Sequence, residues 1–319
     1  MTLPKPFDRI LVGVDGQSNH AVLRAASLAH RLGSQLEMVH AVEVPHFMWP
    51  GLDPDELSAI HAKALVHART ELLKTLDPIL HAAEGEWNLD EQLTVFPGPA
   101  AKVLLRRAVE FGADLIILGP HAKQSLFDFG STARAVLSQT GCPIWTQTNA
   151  VEPIKQILVP VDFSQNSLRA LESAKQLASR FEASLRVLHC YSPPVFAFAG
   201  TAELAPEPVY VIENERQAAK DELEKLMNSF EWDGIEADST FAEGEAATQT
   251  IEKSSGADLI VIGTHGRTGL SRFLVGSVAY SVLKQAEIPV LAIPDPDRYW
   301  QLGEGDAKAR TSEPPVQVY

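Results

Sequence analysis

The chain has 319 residues, 45% apolar and 21% charged, with a formal net charge of −14, which is enough for two globular domains with separate cores. The acidic excess works against the clustered Lys and Arg that non-specific nucleic-acid binding requires. No apolar run approaches the ~20 residues of a membrane helix, and the opening MTLPKPFDRI lacks the long apolar stretch of a signal peptide; a cytoplasmic protein that contacts neither nucleic acid nor membrane is expected.

The β-branched run at 10–14 predicts a buried strand, and 35–41 a second. Asp53 as a cap with Pro54 at the first helical position predicts a long helix to about residue 82. Strands at 91–96, 115–119 and 143–147 complete a first half, and the Pro-containing NAVEPI at 149–154 marks a boundary. The second half opens with a strand at 157–161. Ser164-Gln165-Asn166-Ser167 then offers capping chemistry, and Leu168, Leu171, Ala174, Leu177, Ala178 and Phe181 recur at helical spacing. A strand at 185–189, a Pro-rich stretch at 193–208 and a charged helix over about 211–229 follow. Further strands are predicted at 235–241, 259–263 and 289–293, with helices at 244–254 and 277–285. The tail after Asp295 is polar with Pro and Gly and reads as partly disordered.

The halves repeat one another. ILVGVD at 10–15 matches ILVPVD at 157–162, GADLIILG at 112–119 matches GADLIVIG at 256–263, and CPIWT at 142–146 faces IPVLA at 288–292, at offsets of 147, 144 and 146. Alternating strands and helices predict two tandem open five-stranded parallel sheets of Rossmann-like α/β type, with helices on both faces and domains at 1–150 and 151–295 before a tail at 296–319. Such sheets bind ligands at the carboxyl ends of their strands, which directs attention to Asp15, Asp162 and the loops after the fourth strands.

In the second half that loop reads Gly263-Thr264-His265-Gly266-Arg267-Thr268-Gly269, continuing to Gly276-Ser277, a G-x2-G-x9-G-S spacing ahead of a helix start. Glycines let backbone N–H groups approach phosphate oxygens closely, and a helix N-terminus adds donors and a positive dipole end. The Ser277 hydroxyl and the Arg267 guanidinium are further candidates for phosphate contact.

ILVPVDFS at 157–164, LHC at 188–190 and the 263–277 loop together resemble the universal stress protein family, over both halves and in the tandem arrangement of its two-domain members. The resemblance implies ATP binding, with magnesium held through the phosphates. It places Pro160, Val161 and Asp162 at the adenosine end and the Cys190 backbone at the adenine edge. Gly263, His265, Gly266, Gly276 and Ser277 fall around ribose and phosphates, with N–H groups of Val278 and Ala279. It also implies pairing through the fifth strand, so that the halves form an intramolecular pseudo-dimer and whole chains can pair as a homodimer. The function implied is a nucleotide-responsive stress-response or signalling protein with an unidentified protein partner.

The first half departs from the pattern: Gly119-Pro120-His121-Ala122 is followed by only seven residues before Gly130-Ser131. Ala122 replaces the second glycine, Pro120 removes a backbone donor, and the loop is two residues shorter, so ATP is expected in the second half alone. The alternatives are a carrier or scaffold for an apolar ligand or a protein, drawing on the Pro-rich stretches with Phe47, Trp49, Phe196 and Phe198, or a slow ATP hydrolase, for which the loop supplies no clear general base. An adenylating enzyme is disfavoured because VDGQSN and VDFSQN lack an SGGxDS-like phosphate loop. His61 and His67 are six apart, so they do not share the i, i+4 face of a zinc pair, and no Cys-x-x-Cys is present. His40 and His189, at matched positions, read as shared packing near the cleft, and Cys142 and Cys190 as small buried residues.

Overall fold

A computed structural model describes residues 6–16, 19–43, 53–119, 130–148, 151–193, 209–266 and 275–295. The chain forms two compact units: among the described residues, the first takes in those up to Val151 with Val275 and Leu291–Asp295, and the second Glu152–Gly266 and Gly276–Val290. The first contains β1 (Arg9–Gly13), α1 (Asn19–Leu32), β2 (Gln35–Val42), α2 (Pro54–His81), α3 (Leu89–Gln92), β3 (Leu93–Pro97), α4 (Ala100–Phe111), β4 (Leu115–Leu118), α5 (Ser131–Gln139) and β5 (Ile144–Thr146). The second half contains β6 (Gln156–Val161), α6 (Gln165–Phe181), β7 (Ser184–Tyr191), α7 (Val209–Ser229), β8 (Ala237–Glu243), α8 (Ala246–Lys253), β9 (Leu259–Gly263), α9 (Ser277–Gln285) and β10 (Val290–Ile293).

Strands run parallel in the order β3-β2-β1-β4-β5 in the first unit and β9-β6-β7-β8 in the second. The Pro289 carbonyl, at the entrance to β10, accepts the Ile260 N–H at 3.0 Å. Ile10, Leu11 and Val12, like Ile157, Leu158 and Val159, are completely buried, as strands covered by helices on both faces must be. From β1 the chain builds outward to β3 and then returns to β4; from β6 it builds to β8 and returns to β9. Each unit therefore has its switch of strand order beside its first strand, and open α/β sheets bind ligands outside the carboxyl ends at such a point.

The repeated Gly-Ala-Asp is structural. Gly112 and Gly256 take positive φ, 68° and 82°, as a chain turning out of a helix requires. The Asp that follows turns back onto the first strand. Asp114 accepts N–H bonds from Asp8 and Arg9 at 2.8 and 3.0 Å, and Asp258 accepts from Lys155 and Gln156 at 2.7 and 2.9 Å. The other end of each first strand is held by an imidazole. His40 Nδ1 lies 2.6 Å from the Val14 carbonyl and His189 Nδ1 2.8 Å from that of Val161, so these matched histidines do share a packing role.

Several boundaries differ from the sequence expectation. Residues 89–92 form α3 rather than the start of a strand: the Asn88 side chain accepts from Asp90 N–H and the Gln92 side chain answers to Asn88 N–H, which delays β3 to Leu93. β8 starts at Ala237, not 235, because Asp233 and Gly234 occupy a turn at φ 51° and 83°. The long helix does begin at Asp53 and Pro54, with a capping box in which Glu56 N–H meets Asp53 at 2.8 Å. No helix among the described residues is long and apolar enough to cross a membrane.

Asp258→Ala is expected to lower stability by about 2 kcal/mol, because it removes a charged acceptor from two backbone donors; urea denaturation measures this, and a loss below about 0.5 kcal/mol would show that the ladder alone sets β6.

Candidate functional site

At the carboxyl end of β6 the chain turns through Asp162, Phe163 and Ser164 into α6. Asp162 is pinned by its neighbours: its Oδ1 accepts the Ser164 N–H at 3.1 Å and the Ser164 hydroxyl at 2.6 Å. Ser164 also caps α6 by accepting the Ser167 N–H at 3.2 Å, as the sequence chemistry anticipated. Phe163 holds φ at 63°, a costly conformation for a large side chain, and its ring packs 4.3 Å from that of His189. The imidazole that closes β6 thus also supports the turn carrying Asp162.

The glycine-rich loop leaves β9 beside this turn, and three of its glycines are dictated by contacts within the protein. A Cβ on Gly263 would lie 2.9 Å from the Asn166 side-chain amide and 3.1 Å from the Asn166 backbone. One on Gly266 would lie 2.6 Å from Asp162 Oδ2, and one on Gly276 would lie 2.9 Å from the Thr264 carbonyl, which also accepts the Gly276 N–H at 2.7 Å. At these three positions the missing side chain makes room for Asn166, Asp162 and Thr264. The site is thereby contiguous from Asp162 through Gly266, His265 and Thr264 to Gly276.

α9 begins at Ser277 with Gly276 as its cap residue and no side-chain cap. The N–H groups of Ser277, Val278 and Ala279 have no intrahelical acceptor, as at any helix start, and among the described residues no side chain or carbonyl accepts from them. Uncapped donors with a positive dipole end suit an anion. His265 is buried, its Nδ1 2.8 Å from the Thr264 hydroxyl.

Of the residues singled out from sequence, Pro160, Val161 and Asp162 lie at the end of β6, Gly263, His265 and Gly266 at the exit of β9, and Gly276, Ser277, Val278 and Ala279 at the start of α9. Cys190 stands near the end of β7, half-buried, with Sγ 4.0 Å from the Ala246 carbonyl. Arg267 and Gly269 lie outside the described residues, as do Pro120, Ala122, Phe47, Trp49, Phe196, Phe198 and the tail. Ser164, Asn166 and Thr264 were not singled out for the site. The first two were visible only as helix-capping types, and Thr264 only as a spacer between glycines.

The first unit keeps part of this arrangement. α5 starts after Gly130, again without a side-chain cap. Its Asp15 is exposed where Asp162 is half-buried, and position 17, matched to Ser164, is a glutamine that cannot repeat the short hydroxyl bond.

Neither cysteine is primed for chemistry. Burial, helped by the nearby Glu245 carboxylate, pushes the Cys190 thiol up to about 11; burial, then the charge of Asp114, pushes Cys142 higher still. Both are free thiols. Among the described residues no group of three or more His, Cys, Asp or Glu could share a metal ion.

The fold and this site define a tandem α/β protein with open parallel sheets and a glycine-rich loop at the switch point of its second sheet. The chain belongs to the universal stress protein family, whose model matches residues 6–146 and again 153–294. It is similar to a universal stress protein of Mycobacterium tuberculosis, 26% identical over 306 residues, covering 91% of this chain and 98% of that one. One from Methanocaldococcus jannaschii is 35% identical over 149 residues, covering 45% of this chain and 84% of the relative. Among solved structures, a universal stress protein from Archaeoglobus fulgidus superposes with a TM-score of 0.61 at 17% identity, covering 92% of this chain and 99% of the other. A Pseudomonas aeruginosa protein described as a putative universal stress protein gives 0.59 at 19%, covering 92% and 95%. These two show the shared fold.

Two outcomes follow from the geometry. Gly266→Ala is expected to destabilise the protein by about 1–3 kcal/mol through collision with Asp162, and to lose that cost in an Asp162→Ala background. Additivity within about 0.5 kcal/mol in the four denaturation curves would place the constraint elsewhere. Alkylation of Cys190 should be slow at pH 7 and rise about tenfold per pH unit towards the raised thiol pKa, since only the thiolate reacts; a rate already flat between pH 7 and 9 would contradict the burial.

Proposed function

We propose that this tandem universal stress protein is a nucleotide-responsive binding protein that holds ATP in its second half, with magnesium carried on the phosphates. The observation that carries this reading is the coincidence, along one loop, of a fixed carboxylate at Asp162 with uncapped N–H donors at Ser277, Val278 and Ala279. The donors suit phosphate oxygens. The acceptor suits a hydroxyl of the sugar, since a carboxylate held in place by Ser164 is an acceptor-only group. Pro160 and Val161 would line the adenosine end, the backbone of Cys190 would meet the adenine edge, and Arg267 and Gly269 would complete the phosphate side.

The groups supplied are binding groups. ATP occupancy would bias a partner-binding surface or the assembly state, which fits a signalling role better than turnover. The first half, with Ala122, Pro120 and an exposed Asp15, would contribute scaffold or regulation without binding ATP in the same manner.

Calorimetric titration of the full chain with ATP and magnesium should give one site per chain. Gly266→Val should abolish the binding heat, while Gly130→Val in the first half should leave it within about twofold, a difference of less than about 0.5 kcal/mol. Two sites per chain, or equal loss from the two substitutions, would overturn the assignment to the second half; no heat from the wild-type chain would overturn the nucleotide reading itself.

A further inference from the structure

The nucleotide loop of the second half is tied to α6 by one buried side chain that nothing above assigns to the site. Asn166 occupies the first turn of α6 and is 5% exposed. With its amide oxygen turned to the loop, it accepts the backbone N–H of Thr264 and of His265, each at 3.0 Å. The opposite orientation would set its NH2 group against both donors, so the bonding pattern fixes the assignment. The contact is close on a second side, because Gly263 packs against the same residue with no room for a Cβ.

This arrangement joins the two chemical ends of the site. The turn after β6 carries Asp162 and enters α6 through the Ser164 cap. Two residues past that cap, Asn166 grips the first residues of the loop after β9. The Thr264 carbonyl then accepts from Gly276, the residue that opens α9. A chain of hydrogen bonds thus runs from the sugar-side carboxylate to the helix that offers donors to the phosphates. It also removes Thr264 N–H and His265 N–H from the set available to a ligand.

We infer that Asn166 is a positioning residue for nucleotide binding: it presets the Gly263–Gly266 segment relative to Asp162 and α9, so that ATP meets a formed loop and does not have to order one. This rests on the ATP reading above. Ordering a loop at the moment of binding costs affinity, whereas preorganisation removes that cost. The inferred role is indirect, since Asn166 acts through Thr264, His265 and Gly263.

The test pairs amide hydrogen exchange of Thr264 and His265 in the ligand-free full chain with calorimetric ATP titration of the same proteins. Asn166→Ala should raise exchange at both amides, and weaken ATP binding, by about tenfold or more, as the loss of two buried acceptor bonds implies. Asn166→Asp, which keeps an acceptor oxygen of the same reach, should retain the protection and bind ATP more tightly than Asn166→Ala. Unchanged exchange in Asn166→Ala overturns the tether; raised exchange with unchanged ATP affinity overturns the positioning role. If Asn166→Ala does not fold, the wild type and Asn166→Asp decide, and loss of protection in the Asp variant overturns the inference. Absence of ATP binding by the wild type removes the nucleotide role, while the exchange comparison still judges the tether separately.

Discussion

The carboxylate proposed for ligand contact depends on where β6 ends, and β6 is fixed at both ends by side chains. Asp258 holds its first N–H groups and His189 its last carbonyl. A central parallel strand buried on both faces has few other ways to set its register, and a slip of one residue sends each side chain to the opposite face. Such a slip would carry Asp162 away from Gly266. The first half uses Asp114 and His40 in the same way, so the device belongs to the fold and recurs whether or not the loop beyond it is intact.

Inside this common frame the halves have diverged in their polar cores. In the first, Glu37 of β2 is buried and bonded to Arg107 Nε at 2.6 Å and to the Thr94 hydroxyl at 2.9 Å. At the matching place on β7 stands Arg186, 3.4 Å from Asp238. The sign of the charge is exchanged, and each half supplies its own partner. Buried Arg24, Trp145 and Gln147 form another local set: Gln147 Oε1 accepts from Arg24 at 3.2 Å and Trp145 at 2.9 Å. The repeat offsets pair these three with Leu171, Leu291 and Ile293. Burying a polar group costs free energy unless its hydrogen bonds are replaced, so these changes had to accumulate together within a half.

The fold was largely legible because its signals are periodic and repeated. The apolar spacing of Leu171, Ala174, Leu177 and Ala178 marks the buried face of α6, and all four are essentially inaccessible. Errors fell where local structure overrode pattern, through side-chain bonding at the Asn88 cap and through positive φ in the Asp233-Gly234 turn. The site was legible as a glycine spacing followed by a helix start. Its internal wiring was not: a side chain at position 166 that meets a backbone 99 positions later has no periodicity. Nor did the glycines reveal what they approach, since a phosphate, a carboxylate and a carbonyl impose the same requirement on sequence.

The two halves also share one feature of the proposed site and differ in another. Both α5 and α9 begin after a glycine without a side-chain cap, so each offers the same kind of positive helix end. That feature cannot by itself account for the site proposed in one half. The difference lies upstream: the second half has a serine that pins Asp162 and a glycine that lets the carboxylate close on the loop. The first has glutamine at position 17, alanine at 122 and a loop two residues shorter. A helix start supplies generic attraction for phosphate, whereas an acceptor held at a fixed place beside it can distinguish a nucleotide from a free anion. On the proposed reading, the carboxylate's support and the loop beyond it, and not the helix start, set the two copies of the repeat apart.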